Sequence, residues 1–142
     1  MNLYLDTSSL FKLYVNEEDS DAAMALASRA NTISVSQIAY PEFRGSLARA
    51  QRGGRLTDQA YLSTLELFER AWVTYAAREV TLPLIRLAGE LAAKHYLRGF
   101  DAVHLASAVT LQRELDEPVT FSSSDDRLME AARVEGLTAS AG

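Results

Sequence analysis

Four acidic residues of this sequence lie where a strand-like segment gives way to a helical one. Asp6 directly follows the apolar run 3–5, and Asp125 follows a second β-like run and a small polar turn. Glu42 and Asp101 each fall early in a predicted helix. In open parallel α/β sheets, ligands bind outside the carboxyl ends of the strands. We therefore expect the four acids to face one crevice.

The chemistry of this set is that of oxygen ligands. Three hydroxyl residues accompany the acids, namely Thr7, Ser8 and Ser123. Carboxylates and hydroxyls suit Mg²⁺ or Mn²⁺ rather than zinc, and a hard cation held by few carboxylates keeps several waters. Such sites serve phosphoryl chemistry. The spacing thus favours a divalent-cation site that acts on a phosphate ester.

A simpler interpretation is that each acid only caps a helix, since Asp is a preferred N-cap residue. For Glu42 or Asp125 taken alone this interpretation is the stronger one. That four caps coincide with four strand-to-helix crossings favours a shared site. Asp126 is an alternative to Asp125 as the fourth acid, but on a helix it would point about 100° away from its neighbour.

Basic residues cluster after Glu42, with no acid before Asp58. They are Arg44, Arg49, Arg52 and Arg55. Such a stretch is a candidate surface for tracking RNA phosphates. A solvated helix face explains it equally well.

His104 lies one turn after Asp101 on the most apolar helix of the chain. It is a candidate proton donor, but the surrounding pattern favours a packed core histidine. Four aromatic residues are likewise expected in the core rather than in a base-stacking platform: Tyr4, Phe11, Tyr14 and Phe100.

Strand-like and helical segments alternate along the chain. Strands are predicted at 3–5, 33–36 and 118–121, with a short strand or strand-like connector at 72–75. Helices are predicted at 7–15, 22–29, 37–52, 58–71 and 81–97, from about 100 to 111, and from 126. This order indicates an α/β sandwich with a mainly parallel sheet in a single domain over 1–142. Pro41 is expected to bend or restart its helix, and the tail from 138 to fray.

Composition limits the remaining classes. With 142 residues, no cysteine and a net charge of −5, the chain is expected to lack disulfides and thiolate metal sites. No run of eighteen apolar residues predicts a membrane span, and the N-terminus has no features of a signal peptide. A cytoplasmic location is the expectation. The acidic balance argues against coating by nucleic acid, though not against a nuclease with a local basic wall.

Several segments together resemble a PIN domain, and more narrowly the VapC toxins of toxin–antitoxin pairs. They are the segments 3–8, 98–106 and 120–128, with Glu42 matched mainly by its position. The resemblance implies a three-layer sandwich whose short sheet has four to five strands, with helices on both faces. It also implies an Mg²⁺- or Mn²⁺-dependent ribonuclease that hydrolyses RNA phosphodiester bonds. The acids would be Asp6, Glu42, Asp101 and Asp125, with Ser123 as a hydroxyl that orders the site.

The resemblance further implies two partners, a VapB-type antitoxin and a second copy of the chain. Apolar residues of the first two helices are expected to support the homodimer, because some exceed what one small core can bury. They are Phe11, Tyr14, Val15, Met24 and Leu26.

Three other functions compete with a ribonuclease. A haloacid-dehalogenase-type phosphohydrolase requires a second Asp two residues after the first, where this chain has Ser8. A receiver domain requires paired acids and a late lysine that are not found here. A catalytically silent PIN-like module that binds RNA is disfavoured, because all four acids are present.

Overall fold

A parallel sheet forms the centre of the structure, a computed structural model that describes residues 1–141. Its strands within that range are β1 (Asn2–Leu5), β2 (Thr32–Ser36), β3 (Ala76–Arg78), β4 (Val119–Ser122) and β5 (Thr138–Ala139). Their order is β3-β2-β1-β4-β5, and every pair is parallel. The predicted fold class is therefore confirmed, with β1 in the middle of the sheet.

Helices connect the strands. They are α1 (Thr7–Lys12), α2 (Ser20–Ser28), α3 (Ala39–Arg52), α4 (Asp58–Trp72), α5 (Leu82–His95), α6 (Gly99–Leu115) and α7 (Asp126–Val134). Within residues 1–141, no helix is both long and apolar enough to cross a membrane.

Side chains along β1 alternate between two hydrophobic cores, one on each face of the sheet. Leu3 and Leu5 pack with residues of α1, α3 and α4, whereas Tyr4 packs with residues of α5, α6 and α7. Successive strand residues point to opposite faces, so one strand supplies both cores. The result is the expected sandwich of helix, sheet and helix.

Threonine side chains cap the starts of α4 and α5. The Thr57 hydroxyl accepts from the backbone N–H of Ala60, and the Thr81 hydroxyl accepts from that of Leu84. Each cap satisfies a backbone donor that has no partner inside the helix.

Of the two alternatives for 72–75, a short strand or a strand-like connector, the strand is wrong. Trp72 ends α4, and its ring packs on Phe68 one helical turn earlier, with ring centroids 5.6 Å apart. The strand β3 begins only at Ala76 and pairs with β2. Trp72 mimics the start of a strand in the sequence because it continues the apolar stripe of α4, whereas Val73 after it is exposed.

The expectation that the tail frays from 138 is also wrong. Thr138 and Ala139 form β5 against β4, and the N–H of Ser140 donates to the Phe121 carbonyl at 3.0 Å. Leu137 is buried just before them. Backbone hydrogen bonds hold this edge strand, so its small side chains carry little signal in the sequence.

Pro41 does not break its helix. α3 begins at Ala39 rather than at 37, so Pro41 is the third helical residue. The first N–H groups of a helix have no intrahelical acceptor, and proline loses nothing there. α3 then runs without interruption to Arg52.

The apolar residues that were expected to support a homodimer mostly belong to the core of one chain. Phe11, Val15 and Leu26 are buried beneath α3 and α4, and Tyr14 is half-buried. Of the five, Met24 is exposed. Packing of α1 against α2, α3 and β1 uses this surface, so that argument for a dimer is wrong.

Candidate active site

Asp6 lies at the carboxyl end of β1 and is buried, with an exposed fraction of 4%. Its Oδ1 accepts from the Ser9 N–H at 2.9 Å and from the Ser8 hydroxyl at 2.7 Å. Its Oδ2 accepts from the Ser123 hydroxyl at 2.6 Å. Asp6 is thus a helix cap as well as a member of the acidic set, because its two oxygens serve different partners.

Serine side chains join the ends of β1 and β4. The N–H of Ser124 donates to the Ser8 hydroxyl at 2.9 Å, and that of Asp125 donates to the Ser123 hydroxyl at 3.0 Å. Parallel pairing of the two strands puts both turns at one edge of the sheet. These bonds fix the turn after β4 against Asp6.

Glu42 reaches the same edge from α3. Its Oε1 accepts from the Thr7 hydroxyl at 2.7 Å and lies 2.8 Å from His104 Nε2. Partial burial alone would raise the pKa of Glu42, but the hydrogen bonds from His104 and Thr7 outweigh it and lower that pKa. Glu42 is therefore a stable carboxylate in a fixed position.

Asp101 is partly buried in the first turn of α6. Its pKa is raised, first by burial and then by the negative charges of Asp6, Asp125 and Glu42. The charge of His104 opposes this rise only in part. The electrostatics at Asp101 favour a positive charge nearby, because several carboxylates repel one another without compensation.

Asp125 is the exposed N-cap of α7. Its Oδ1 accepts from the N–H groups of Arg127 and Leu128 at 2.9 and 3.3 Å. Its charge acts on Asp101, although Asp125 does not line the cavity described next. Asp126 is exposed as the first residue of α7 and forms neither of these bonds.

A cavity of about 840 Å³ opens at this edge of the sheet. The side chains of Asp6, Glu42 and Asp101 line it together with Arg49 and Arg55. Three of the four predicted acids, and two of the four predicted arginines, therefore share one space. It is large enough for more than a metal ion.

The other two arginines have different surroundings. Arg44 pairs with Glu69 at 3.3 Å and lies over the Tyr40 ring. Arg52 is exposed, and within the described part of the chain neither residue lines the cavity. Arg55 does so while paired with Glu17 at 3.0 Å.

The acids do not form a closed metal cluster. Within residues 1–141, no three His, Asp or Glu side chains are arranged to hold an ion. Glu42 is turned toward His104, and Asp125 is turned onto the start of α7. The donor chemistry still fits Mg²⁺ or Mn²⁺, since these ions keep several waters and need few protein oxygens.

Two residues behave differently from a plain core position. His104 is buried as expected, with 2% exposed, yet both ring nitrogens make side-chain contacts at the site. Phe100 was expected in the core and is 64% exposed, next to Asp101 on the cavity wall. The first turn of α6 projects from the sheet edge, which an apolar pattern along the helix does not reveal.

Comparisons with known proteins agree with this architecture. The family model described as PIN domain matches residues 3–134. Ribonuclease VapC49 of Mycobacterium tuberculosis is 36% identical over 134 residues, which cover 94% of this chain and 91% of that protein. This level of identity extends along nearly the whole of both chains.

Two solved structures share the fold at lower identity. FitAcB from Neisseria gonorrhoeae has a TM-score of 0.69 and 16% identity, with 96% of this chain and 95% of that chain covered. VapBC2 from Rickettsia felis, bound to a DNA fragment from its promoter, has a TM-score of 0.66 and 15% identity, with coverage of 100% and 99%. On the family match and the identity to VapC49, this chain belongs to the PIN domain family and to its VapC group.

Proposed function

We propose that this chain is a ribonuclease that hydrolyses RNA phosphodiester bonds with a divalent cation, Mg²⁺ or Mn²⁺. One observation carries the proposal: three carboxylates, those of Asp6, Glu42 and Asp101, open into one cavity in a member of the VapC group. The relative VapC49 is itself named a ribonuclease.

The raised pKa of Asp101 supports the cation. Burial and the charges of Asp6, Asp125 and Glu42 disfavour its ionised form, and a bound cation would offset that repulsion. Asp6, Glu42 and Asp101 would hold the ion. Asp125 would join them by losing a hydrogen bond to the start of α7. The cation would supply a nucleophilic water and stabilise the leaving oxygen.

The chain's own residues account for the rest of the proposed mechanism. Ser8, Ser9 and Ser123 hold the Asp6 carboxylate at both oxygens. Thr7 holds Glu42 through Oε1. Groups fixed in this way need little reorganisation when charge develops on the phosphate.

The cavity wall offers contacts for the RNA. The exposed arginines Arg49 and Arg55 would neutralise backbone phosphates, which is the main source of affinity for nucleic acids. Arg44 is engaged with Glu69, so its part in RNA binding is expected to be smaller. Phe100 supplies an aromatic face next to Asp101.

A toxin role, with a VapB-type antitoxin and a homodimer, belongs to the same proposal. VapBC2 from Rickettsia felis shares this fold and is bound to a DNA fragment from its promoter. A short reading frame next to this gene, whose product copurifies and blocks cleavage, is the expected finding. A cytoplasmic location and the dimer remain predictions, and light scattering at micromolar concentration measures the dimer directly.

The decisive experiment compares cleavage of labelled single-stranded and hairpin RNA by the purified chain. We expect cutting with Mg²⁺ or Mn²⁺, none in excess chelator, and a loss of at least about 100-fold in Asp6→Asn. Glu130→Gln is the matched control, because Glu130 is exposed on α7 and pairs only with Arg133 among the described residues. Cleavage that persists in chelator would refute the metal dependence. RNA binding without cleavage would instead indicate a silent module.

A further inference from the structure

A line of hydrogen bonds runs from the core to the cavity and ends on Glu42. The Tyr4 hydroxyl lies 3.1 Å from His104 Nδ1, and His104 Nε2 lies 2.8 Å from Glu42 Oε1. Tyr4 is fully buried and His104 is 2% exposed. Because burial removes water as a partner, these polar atoms depend on one another.

The chemistry of the carboxylate sets the direction of the bond between His104 and Glu42. A carboxylate only accepts hydrogen bonds, so His104 Nε2 carries a proton and donates a hydrogen bond to Glu42. Nδ1 is paired with the Tyr4 hydroxyl, which can donate to a bare ring nitrogen or accept from an N–H. Both ring nitrogens are used, which fixes the orientation of the ring.

The line crosses from one face of the sheet to the other. Tyr4 and His104 belong to the core under α6, whereas Glu42 projects from α3, whose apolar residues form the opposite core. Packing within either core does not require this bond. Its effect is to tie α3 to α6 above the end of β1, where Thr7 adds a second donor to the same oxygen at 2.7 Å.

We propose that Tyr4 and His104 are positioning residues, which hold the Glu42 carboxylate through Oε1 and leave Oε2 as the oxygen for a divalent cation. Oε2 accepts no hydrogen bond from the protein within residues 1–141. This inference rests on the proposed function and deepens it. In this inference His104 acts by holding the Glu42 carboxylate and does not contact RNA directly.

The inference makes a quantitative expectation. Residues that orient a metal ligand typically contribute 10- to 100-fold to metal affinity or activity. His104→Leu keeps much of the side-chain volume and removes both nitrogens. His104→Gln retains an N–H donor near the position of Nε2. Tyr4→Phe removes one hydroxyl and retains the ring, which stacks on Phe121 with centroids 5.7 Å apart.

The experiment measures Mn²⁺ affinity by calorimetry, kcat and KM on one RNA, and Tm in chelator. We expect His104→Leu to bind Mn²⁺ about tenfold more weakly or worse and to lose kcat, with KM nearly unchanged. His104→Gln should recover most of both, and Tyr4→Phe should lie between. Val109→Ala is the control: it is buried on the same helix outside the line of bonds, and should lower Tm alone.

The outcomes separate the two proposals. A wild type that neither binds Mn²⁺ nor cleaves RNA refutes the proposed function, and the inference with it. If the wild type does both and the folded His104 variants match it in Mn²⁺ affinity and kcat, only the inference is refuted. Should His104→Leu fail to fold, Tyr4→Phe decides, and wild-type affinity in that variant overturns the role of the Tyr4 hydroxyl and of the line.

Discussion

At the scale of single residues, the surroundings of Asp101 disfavour its negative charge. Burial and the charges of Asp6, Asp125 and Glu42 raise its pKa on folding. A raised folded pKa adds stability below the unfolded pKa, and this contribution is lost as pH rises through the folded value. At neutral pH the ionised Asp101 therefore destabilises the metal-free protein relative to an uncharged side chain.

Asp101→Asn is expected to stabilise the metal-free protein at neutral pH. The gain should be about 1 kcal/mol or less after allowance for solvent screening, a few degrees in Tm, and it should vanish toward about pH 4. Thermal melts in chelator across this range measure it. A variant that melts below the wild type at neutral pH would show that repulsion does not govern this position.

Phe100 belongs to the residue scale as well, since it offers an exposed ring beside the acids. Stacking of a base on an aromatic side chain contributes about 1–3 kcal/mol. We expect Phe100→Ala to raise KM for single-stranded RNA at least about fivefold, with unchanged Mn²⁺ affinity, and Phe100→Trp to retain binding. Leu62→Ala is the control, an exposed apolar residue on α4 away from the cavity. A KM of Phe100→Ala equal to that of the wild type would exclude stacking.

At the scale of elements, β5 stabilises the edge of the sheet through backbone bonds rather than through side chains. Termination after Leu137 removes β5 together with the Ser140–Phe121 bond. A loss of about 1–3 kcal/mol is expected, because each hydrogen bond contributes about 0.5–1.5 kcal/mol net. Denaturant unfolding measures it, and termination after Ser140 is the control that keeps the strand. Equal stability of the two truncations would mean that β5 is dispensable.

Elements with strong local signals could be predicted from the sequence, and those without could not. The caps at Thr57 and Thr81 mark their helices, and the central strand follows from its apolar run. The end of α4 reads as a strand because Trp72 is apolar. β5 has no signal of its own, since it depends on a neighbouring strand that is distant in the sequence.

The same distinction applies to the site. The acids could be predicted because each lies at a strand-to-helix junction, and the sheet brings such junctions together. The line from Tyr4 through His104 to Glu42 could not, because its contacts span 100 and 62 residues. A buried histidine gives the same pattern whether or not it reaches a carboxylate.

For the molecule as a whole, the cavity lies where the two cores meet. A cation bound there would contact Asp6 after β1, Glu42 of α3 and Asp101 of α6, and would stabilise only the folded chain. We expect Tm to rise with the logarithm of Mn²⁺ concentration. At 100 times Kd, binding adds about 2.7 kcal/mol to the free energy of unfolding. Asp101→Asn should reduce the rise and Glu130→Gln should not. A Tm that does not change in millimolar Mn²⁺ would contradict binding to the native state.

The position of β1 bears on how the protein is made. The ribosome synthesises β1 before its neighbour β4, which ends at Ser122, and Asp6 must wait for Ser123, 117 residues later. Contacts so distant in sequence carry a loop-closure entropy cost that slows folding. A nascent chain thus carries Asp6 long before Ser123 is available to hold it, and the site can assemble only after β4 has been synthesised.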